Sequence, residues 1–211
     1  EVLQRLEVPL LVVDTHWDSV RQARMKGLRT LRGNPLSATV DSNLDLAGLG
    51  TLLTLTPERE WNALLNQHFR RDFPAHRIFT VRNERAGTNE RMQISSKHEG
   101  LPFGEEGLTF GKLSSLISQG ARFKATTLSE GFSYEKWQED AGKNRIALLA
   151  LTPERRLRVL SPGLELVPEA GWTLIYLATA QDEKAADVVA VAKREQERSE
   201  QEVKPQLPDA Q

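Results

Sequence analysis

The sequence predicts an α/β protein: a parallel sheet built from alternating strands and helices, followed by a smaller β-rich region. Three observations carry this expectation. Short apolar runs recur near 9–14, 28–32, 51–56 and 77–82, each separated from the next by a segment with helical spacing. Strands alternating with helices of that length belong in a parallel sheet covered on both faces. The first run, Val8-Pro9-Leu10-Leu11-Val12-Val13-Asp14, ends in an acid. After residue 120 the apolar runs are punctuated by glycines instead of helices, and runs of strands after a βαβ block suggest a second, β-rich domain.

Each element has its own signals. Glu1 to Leu6 has a helix-end pattern with Val2, Leu3 and Leu6 on one face. The next helix places Trp17, Val20 and Ala23 on a common face, with Gly27 as its stop. Gly33-Asn34-Pro35 ends the second strand, Ser37 caps a second helix, and Val40, Leu44 and Ala47 form its buried stripe. Thr56 is the expected N-cap of the third helix, with Pro57 at its first position and Glu58 near its positive end. Trp61, Leu64, Leu65 and Phe69 fall on its core stripe and read as packing residues, not stacking platforms for bases.

The glycines at 87, 100, 104 and 107 mark a change of region, with short extended pieces at 92–96 and 101–103. An amphipathic helix follows at about 109–118 through Phe110, Leu113, Leu116 and Ile117. Strands are then expected at 122–129, 146–151, 156–160 and 173–178, with a tight turn at 168–172 before the last. The expected organisation is a nucleotide-binding domain at 1–84, a linker with a helix at 85–120, a small β-rich domain at 121–180, and a charged tail at 181–211 that is disordered or helical.

Composition narrows the function classes. The 211 residues are 39% hydrophobic and 27% charged, with a net charge of −1, which gives no global reason to expect nucleic acid. There are no cysteines, hence no disulfide and no thiolate metal site. No apolar run approaches the roughly 18–20 residues of a membrane helix.

An acid at a strand's carboxyl end is where a dinucleotide fold holds a ribose hydroxyl pair, and ligands of parallel sheets sit outside those ends. The glycine-rich turn that should lie roughly 20 residues earlier has no place, because the chain begins 13 residues before Asp14, with Glu instead of Met. The expectation is a Rossmann-like fragment entered inside the first helix of its βαβ unit. Gly48-Leu49-Gly50 precedes a strand instead of following one, so it cannot present amides to a pyrophosphate. A helix N-cap acid is the plainer alternative for Asp14. No Gly-x-Ser-x-Gly elbow or metal-spaced His pair appears. His68 and His76 suit capping, and Glu135, Glu139 and Asp140 suit a solvated helix face. No enzyme is expected.

The segments V-V-D-T (12–15), G-N-P (33–35), Leu44 to Leu49, T-L-T-P-E (54–58) with Asn62, and R-I-F-T-V-R (77–82) resemble the TrkA-N domain. This regulatory nucleotide-binding domain, also called RCK, is attached to potassium channels, potassium uptake systems and cation:proton antiporters. The resemblance covers residues 8–83 and lacks the family's first strand and glycine loop. The β-rich part resembles, more weakly, the small C-terminal domain that often follows, and the whole chain, especially 100–179, resembles the cytosolic tail of bacterial NhaP-like sodium:proton antiporters.

The resemblance implies a cytosolic nucleotide-sensing region that regulates a monovalent cation:proton antiporter. It would act at the cytoplasmic face of the inner (plasma) membrane, with a transport domain of the same protein as partner, as a homodimer and without nucleic acid. Asp14, with Thr15 beside it, would accept from ribose hydroxyls, which favours NAD, AMP or ATP over a 2′-phosphorylated ligand. Asn34 falls where the family carries an Asp beside the adenine. Thr56 and Arg82 would face the crevice, Arg82 as a phosphate partner, with capping and surface charge as their plain alternatives. Without the glycine loop, binding by this chain alone should be weak. The alternatives are an RCK-type regulator of a potassium channel or uptake system, a fragment of an NAD-dependent oxidoreductase, and a free-standing interaction module.

Overall fold

The computed structural model describes residues 1–83, 99–142 and 144–182. The expected extended piece at 92–96 and nearly all of the charged tail lie outside the described residues.

Two parallel ladders form the N-terminal half. After α1 (Val2–Arg5), β1 (Leu11–Asp14) pairs with β2 (Arg29–Arg32), Asp14 lying opposite Arg32. The connection is α2 (Trp17–Met25). Gly27 ends it with φ +75°: its N–H reaches the Arg24 carbonyl at 2.9 Å and the Leu28 N–H reaches Ala23 at 3.1 Å. This is the paired closure a left-handed glycine permits at a helix end. The second ladder runs β3 (Leu52–Thr54), β4 (Ile78–Thr80), β5 (Leu101–Pro102), again all parallel.

The expected strands are thus present and parallel, but they hydrogen-bond as two sheets and not as one. The order explains the division. A doubly wound sheet runs 3-2-1-4-5-6; β2-β1 and β3-β4-β5 match that order on either side of its first strand. The 101–103 piece, read from sequence as linker, is the outer strand of the second ladder because its backbone completes the β4 edge.

The second helix also differs from expectation. Ser37 caps it as predicted, its hydroxyl accepting from the Val40 N–H, but α3 is a single turn, Ala38–Asp41. Ser42 Oγ and Asn43 Nδ2 both donate back to the Thr39 carbonyl, which competes with continued helix. Leu44, Leu46 and Leu49 still pack inward, on Ile78, Leu65 and Phe69, from irregular chain; Ala47 is exposed. The third helix, α4 (Arg59–His68), starts after Glu58, so Thr56 is not its N-cap.

Two aromatic and aliphatic assignments change as well. Trp17 is 51% exposed and Leu64 50% exposed, whereas Val20, Leu65 and Phe69 are buried and Trp61 packs on the core as expected. Trp17 stands in the first turn of α2 with Arg32 over its ring at 5.4 Å.

The C-terminal strands fall where the sequence puts them. β6 (Arg122–Thr127), β7 (Arg145–Leu151), β8 (Leu157–Val159) and β9 (Thr173–Ala178) form an antiparallel sheet ordered β6-β9-β7-β8. Along β9, Ile175 and Leu177 face one core while Leu174, Tyr176 and Ala178 face another. A bulge between Ala147 and Leu149 puts Leu148 and Leu149 into the first of these cores together. That core also holds Val2, Phe79 and Phe103, with Leu53 and Leu101 against it, so the second parallel ladder and the antiparallel sheet share one apolar interior. α5 (Phe110–Ser118) lays Leu113 and Leu116 on the same side. On the opposite face lies α6 (Tyr134–Ala141), which buries Trp137 and Ala141.

Candidate functional site

The chemistry-bearing residues picked from sequence all stand at the carboxyl ends of parallel strands, where such sheets bind ligands. Asp14 is the last residue of β1 and Thr15 follows it. Asn34 lies two residues past β2, Thr56 two past β3 and Arg82 two past β4. The first three belong to the β1–β2 ladder and the last two to the β3–β4–β5 ladder.

Local bonding modifies these assignments. Asp14 Oδ1 accepts from the His16 backbone N–H at 2.8 Å and lies 3.1 Å from His16 Nδ1. The carboxylate therefore fastens the turn into α2 while its side chain stays one-third exposed. Oδ2 has no hydrogen-bond partner among the described residues, so one oxygen remains for a ligand. Thr15 is exposed. Asn34 Oδ1 accepts from the Leu36 N–H at 2.8 Å, forming a turn that leaves its amide nitrogen outward. Gly33 allows that turn: a Cβ there would meet Val40 Cγ2 at 2.5 Å, and its φ is +145°.

Thr56 is turned inward. Its Oγ1 donates to Asn62 Oδ1 at 2.8 Å, and Asn62 Nδ2 returns a bond to the Thr56 carbonyl at 3.0 Å. The role this supports is to fix the loop after β3, with ligand contact left to its neighbours. Arg82 has an exposed side chain and a backbone tied by the Phe110 N–H to its carbonyl at 2.7 Å.

The sequence reading missed Asn66. It is fully buried one helical turn beyond Asn62, accepting from Thr54 Oγ1 at 3.0 Å and donating to Thr80 Oγ1 at 2.8 Å. Asn62 and Asn66 thus anchor α4 to the carboxyl ends of β3 and β4. The available signal was two asparagines at i and i+4 beside Leu65 and Phe69, on a face otherwise apolar. Gly100 is required against the same network, since a Cβ there would lie 2.5 Å from Thr80 Oγ1. Arg32 was also missed. It stands opposite Asp14 in register and sets a cation on Trp17 at the same end of the ladder.

His68 ends α4, with Nε2 3.1 Å from Asp41 Oδ1, and Arg71 also donates to that carboxylate. The Arg71 and His68 hydrogen bonds hold the Asp41 carboxyl below its ordinary range. The cluster ties α3 to the end of α4. No group of three or more His, Cys, Asp or Glu among the described residues is placed to hold a metal ion. No described helix is long and apolar enough to cross a membrane.

No protein-family model matches the chain, and no curated protein does. Among solved structures it is similar to the RCK domain of GsuK, at 16% identity and a TM-score of 0.29, over 88% of this chain and 47% of that one. It is also similar to the GsuK channel (15% identity, TM-score 0.34, 90% of this chain and 35% of that one). A third is the GsuK channel bound to NAD (15% identity, TM-score 0.31, 87% and 39%). The chain spans less than half the length of these structures. At that level the likeness carries no argument about this molecule, whose fold and site rest on the geometry above.

Proposed function

We propose that this chain is a nucleotide-sensing regulatory module acting on a membrane transporter of monovalent cations, with a cation:proton antiporter as the first reading. One observation carries the nucleotide part. β2-β1 and β3-β4-β5 have the order of a doubly wound sheet on either side of its first strand, and Asp14 ends the strand beside that position. On this reading a strand seated between β1 and β3 brings the glycine-rich turn, whose amides hold the pyrophosphate. Asp14 Oδ2 accepts from the ribose, Asn34 meets the adenine side, and Arg82 neutralises phosphate. NAD, AMP and ATP all fit these contacts. The transporter part rests on the residue resemblance across 8–83. The same resemblance supports a regulator of a potassium channel or uptake system, and which ion flux responds to nucleotide distinguishes the two.

Regulation follows from differential binding: a ligand that prefers one placement of the module relative to its partner shifts the transporter toward that state. The test is Asp14→Ala in the whole protein. Losing a charged hydrogen bond to ribose, worth about 1.5–3 kcal/mol, should weaken adenine-nucleotide binding roughly ten- to a hundredfold. Maximal transport in vesicles should be kept while its response to nucleotide is lost. Unchanged affinity together with an unchanged response overturns the proposal.

A further inference from the structure

Trp17 is large and apolar, yet it is 51% exposed in the first turn of α2. Burial therefore does not account for its place. What it does meet is a cation: the Arg32 guanidinium carbon stands over its ring, 5.4 Å from the centroid. Arg32 ends β2, is itself exposed, and has no ion pair among the described residues.

An acid nevertheless lies within its reach. Asp14 and Arg32 face each other in the parallel register of β1 and β2, on strands about 4.8 Å apart. Opposite charges set directly across neighbouring strands attract. Here they do not pair. Asp14 Oδ1 meets His16, through its backbone N–H at 2.8 Å and its ring Nδ1 at 3.1 Å, and Oδ2 stays open. A cation over an exposed ring and an ion pair at a surface are worth about the same, each about two- to fivefold in population. An aromatic face on one side of Arg32 is therefore enough to tip it away from the acid on the other.

We propose that Trp17 is a positioning residue: its ring holds the Arg32 guanidinium away from Asp14 and so keeps a carboxylate oxygen open for the ligand. Without the ring, Arg32 swings onto Asp14, occupies Oδ2 and cancels the charge that a hydroxyl donor would meet. That the donor is a ribose hydroxyl rests on the function proposed above; the competition between Trp17 and Asp14 for Arg32 does not.

The first experiment uses the 211-residue chain labelled with nitrogen-15 and follows the Arg32 Nε–Hε resonance, assigned by its loss in Arg32→Gln. In the otherwise unmodified chain, Asp14→Asn should leave that resonance nearly unmoved. In Trp17→Leu it should shift downfield as the guanidinium leaves the ring, and there Asp14→Asn should move it again. An equal response to Asp14→Asn with and without Trp17 overturns the proposal, as does no response in either. Both Trp17 and Arg32 are exposed, so the variants should keep their fold, checked by circular dichroism. Should Trp17→Leu not, Trp17→Phe, a poorer platform for a cation, should give the same change at smaller size.

The second experiment uses the whole protein with AMP as probe. Trp17→Leu should weaken AMP binding about two- to fivefold, and Trp17→Leu/Arg32→Gln should regain it. With Asp14→Ala weakening AMP as expected, an unchanged affinity in Trp17→Leu overturns the proposal. So does a loss that the second substitution leaves unrepaired, since that assigns Trp17 to direct ligand contact. AMP binding that ignores Asp14→Ala sinks the nucleotide reading instead, and the Arg32 resonance still decides what Trp17 does.

Discussion

β1 and β9 are both short apolar strands, yet they occupy opposite environments. Five of the six residues of β9 are buried, with a core on either face, whereas none of the four residues of β1 is buried. β9 is paired on both edges, by β6 and β7; β1 is paired on one, by β2 alone. The antiparallel half is closed within the described chain. The β1–β2–α2 unit has one fully buried side chain, Val20, and keeps a half-covered strand with an unpaired edge next to Asp14. An apolar sequence therefore sets the capacity for burial, and neighbours decide how much of it is used.

The largest expected effect lies in the closed half. Leu177→Ala should cost about 2–5 kcal/mol, as for other large-to-small changes at fully buried leucines. Val12→Ala in β1 should cost only about 1 kcal/mol, in keeping with partial burial. Urea unfolding of the two variants measures the contrast, and equal losses would break it.

Asn66→Ala comes next. It strips partners from Thr54 and Thr80, both of which face the buried network, so about 1–3 kcal/mol should be lost. Unlike Leu177→Ala, it should also loosen the loops that carry Thr56 and Arg82. Nuclear magnetic resonance shifts at those two residues would report that; a loss of stability without them would confine Asn66 to packing.

Hydrogen exchange sharpens the comparison without mutation. Amides of β7 and β9 should exchange only through global opening, and those of β1 and β2 through local opening at lower cost. Equal protection in the two halves would mean that β1 gains cover from residues outside those described.

The smallest effect is electrostatic. A carboxyl depressed in the folded state adds stability above its unfolded pKa and loses it as pH falls through the folded one. Asp41 is such a group, held down by Arg71 and His68. Asp41→Asn should therefore lower the unfolding midpoint slightly at neutral pH, with the difference beginning to shrink as pH falls below the ordinary Asp value of about 3.9 and vanishing only below the lower folded one. A difference that persists in acid would assign the loss to packing and not to charge.

Much of this was legible in the sequence, for local reasons. The strands at 122–127, 145–151, 157–159 and 173–178 follow from β-branched and leucine-rich runs between glycine turns. Gly27 and Ser37 follow from backbone chemistry that acts within four residues. Asp14, Asn34, Thr56 and Arg82 could be placed at strand ends because each follows an apolar run directly. What those side chains do there was not legible. Asp14 turns one oxygen to His16 and Thr56 turns inward to Asn62, and both choices depend on where α2 and α4 begin.

The sequence by itself determined the alternation of elements, the parallel pairing of the first four strands and the positions of the last four, because period and turn chemistry are local; that the last four are antiparallel was decided by the tertiary structure. Only the tertiary structure decided that the parallel strands form two ladders, that residues 101–102 join the second, and that Val2, Phe79 and Leu177 share one core. It also decided that Trp17 stays outside and that Trp137 is buried against Tyr134 and Tyr176. These depend on which surfaces meet across long stretches of chain, and apolar periodicity states only that a surface will be covered, not by what.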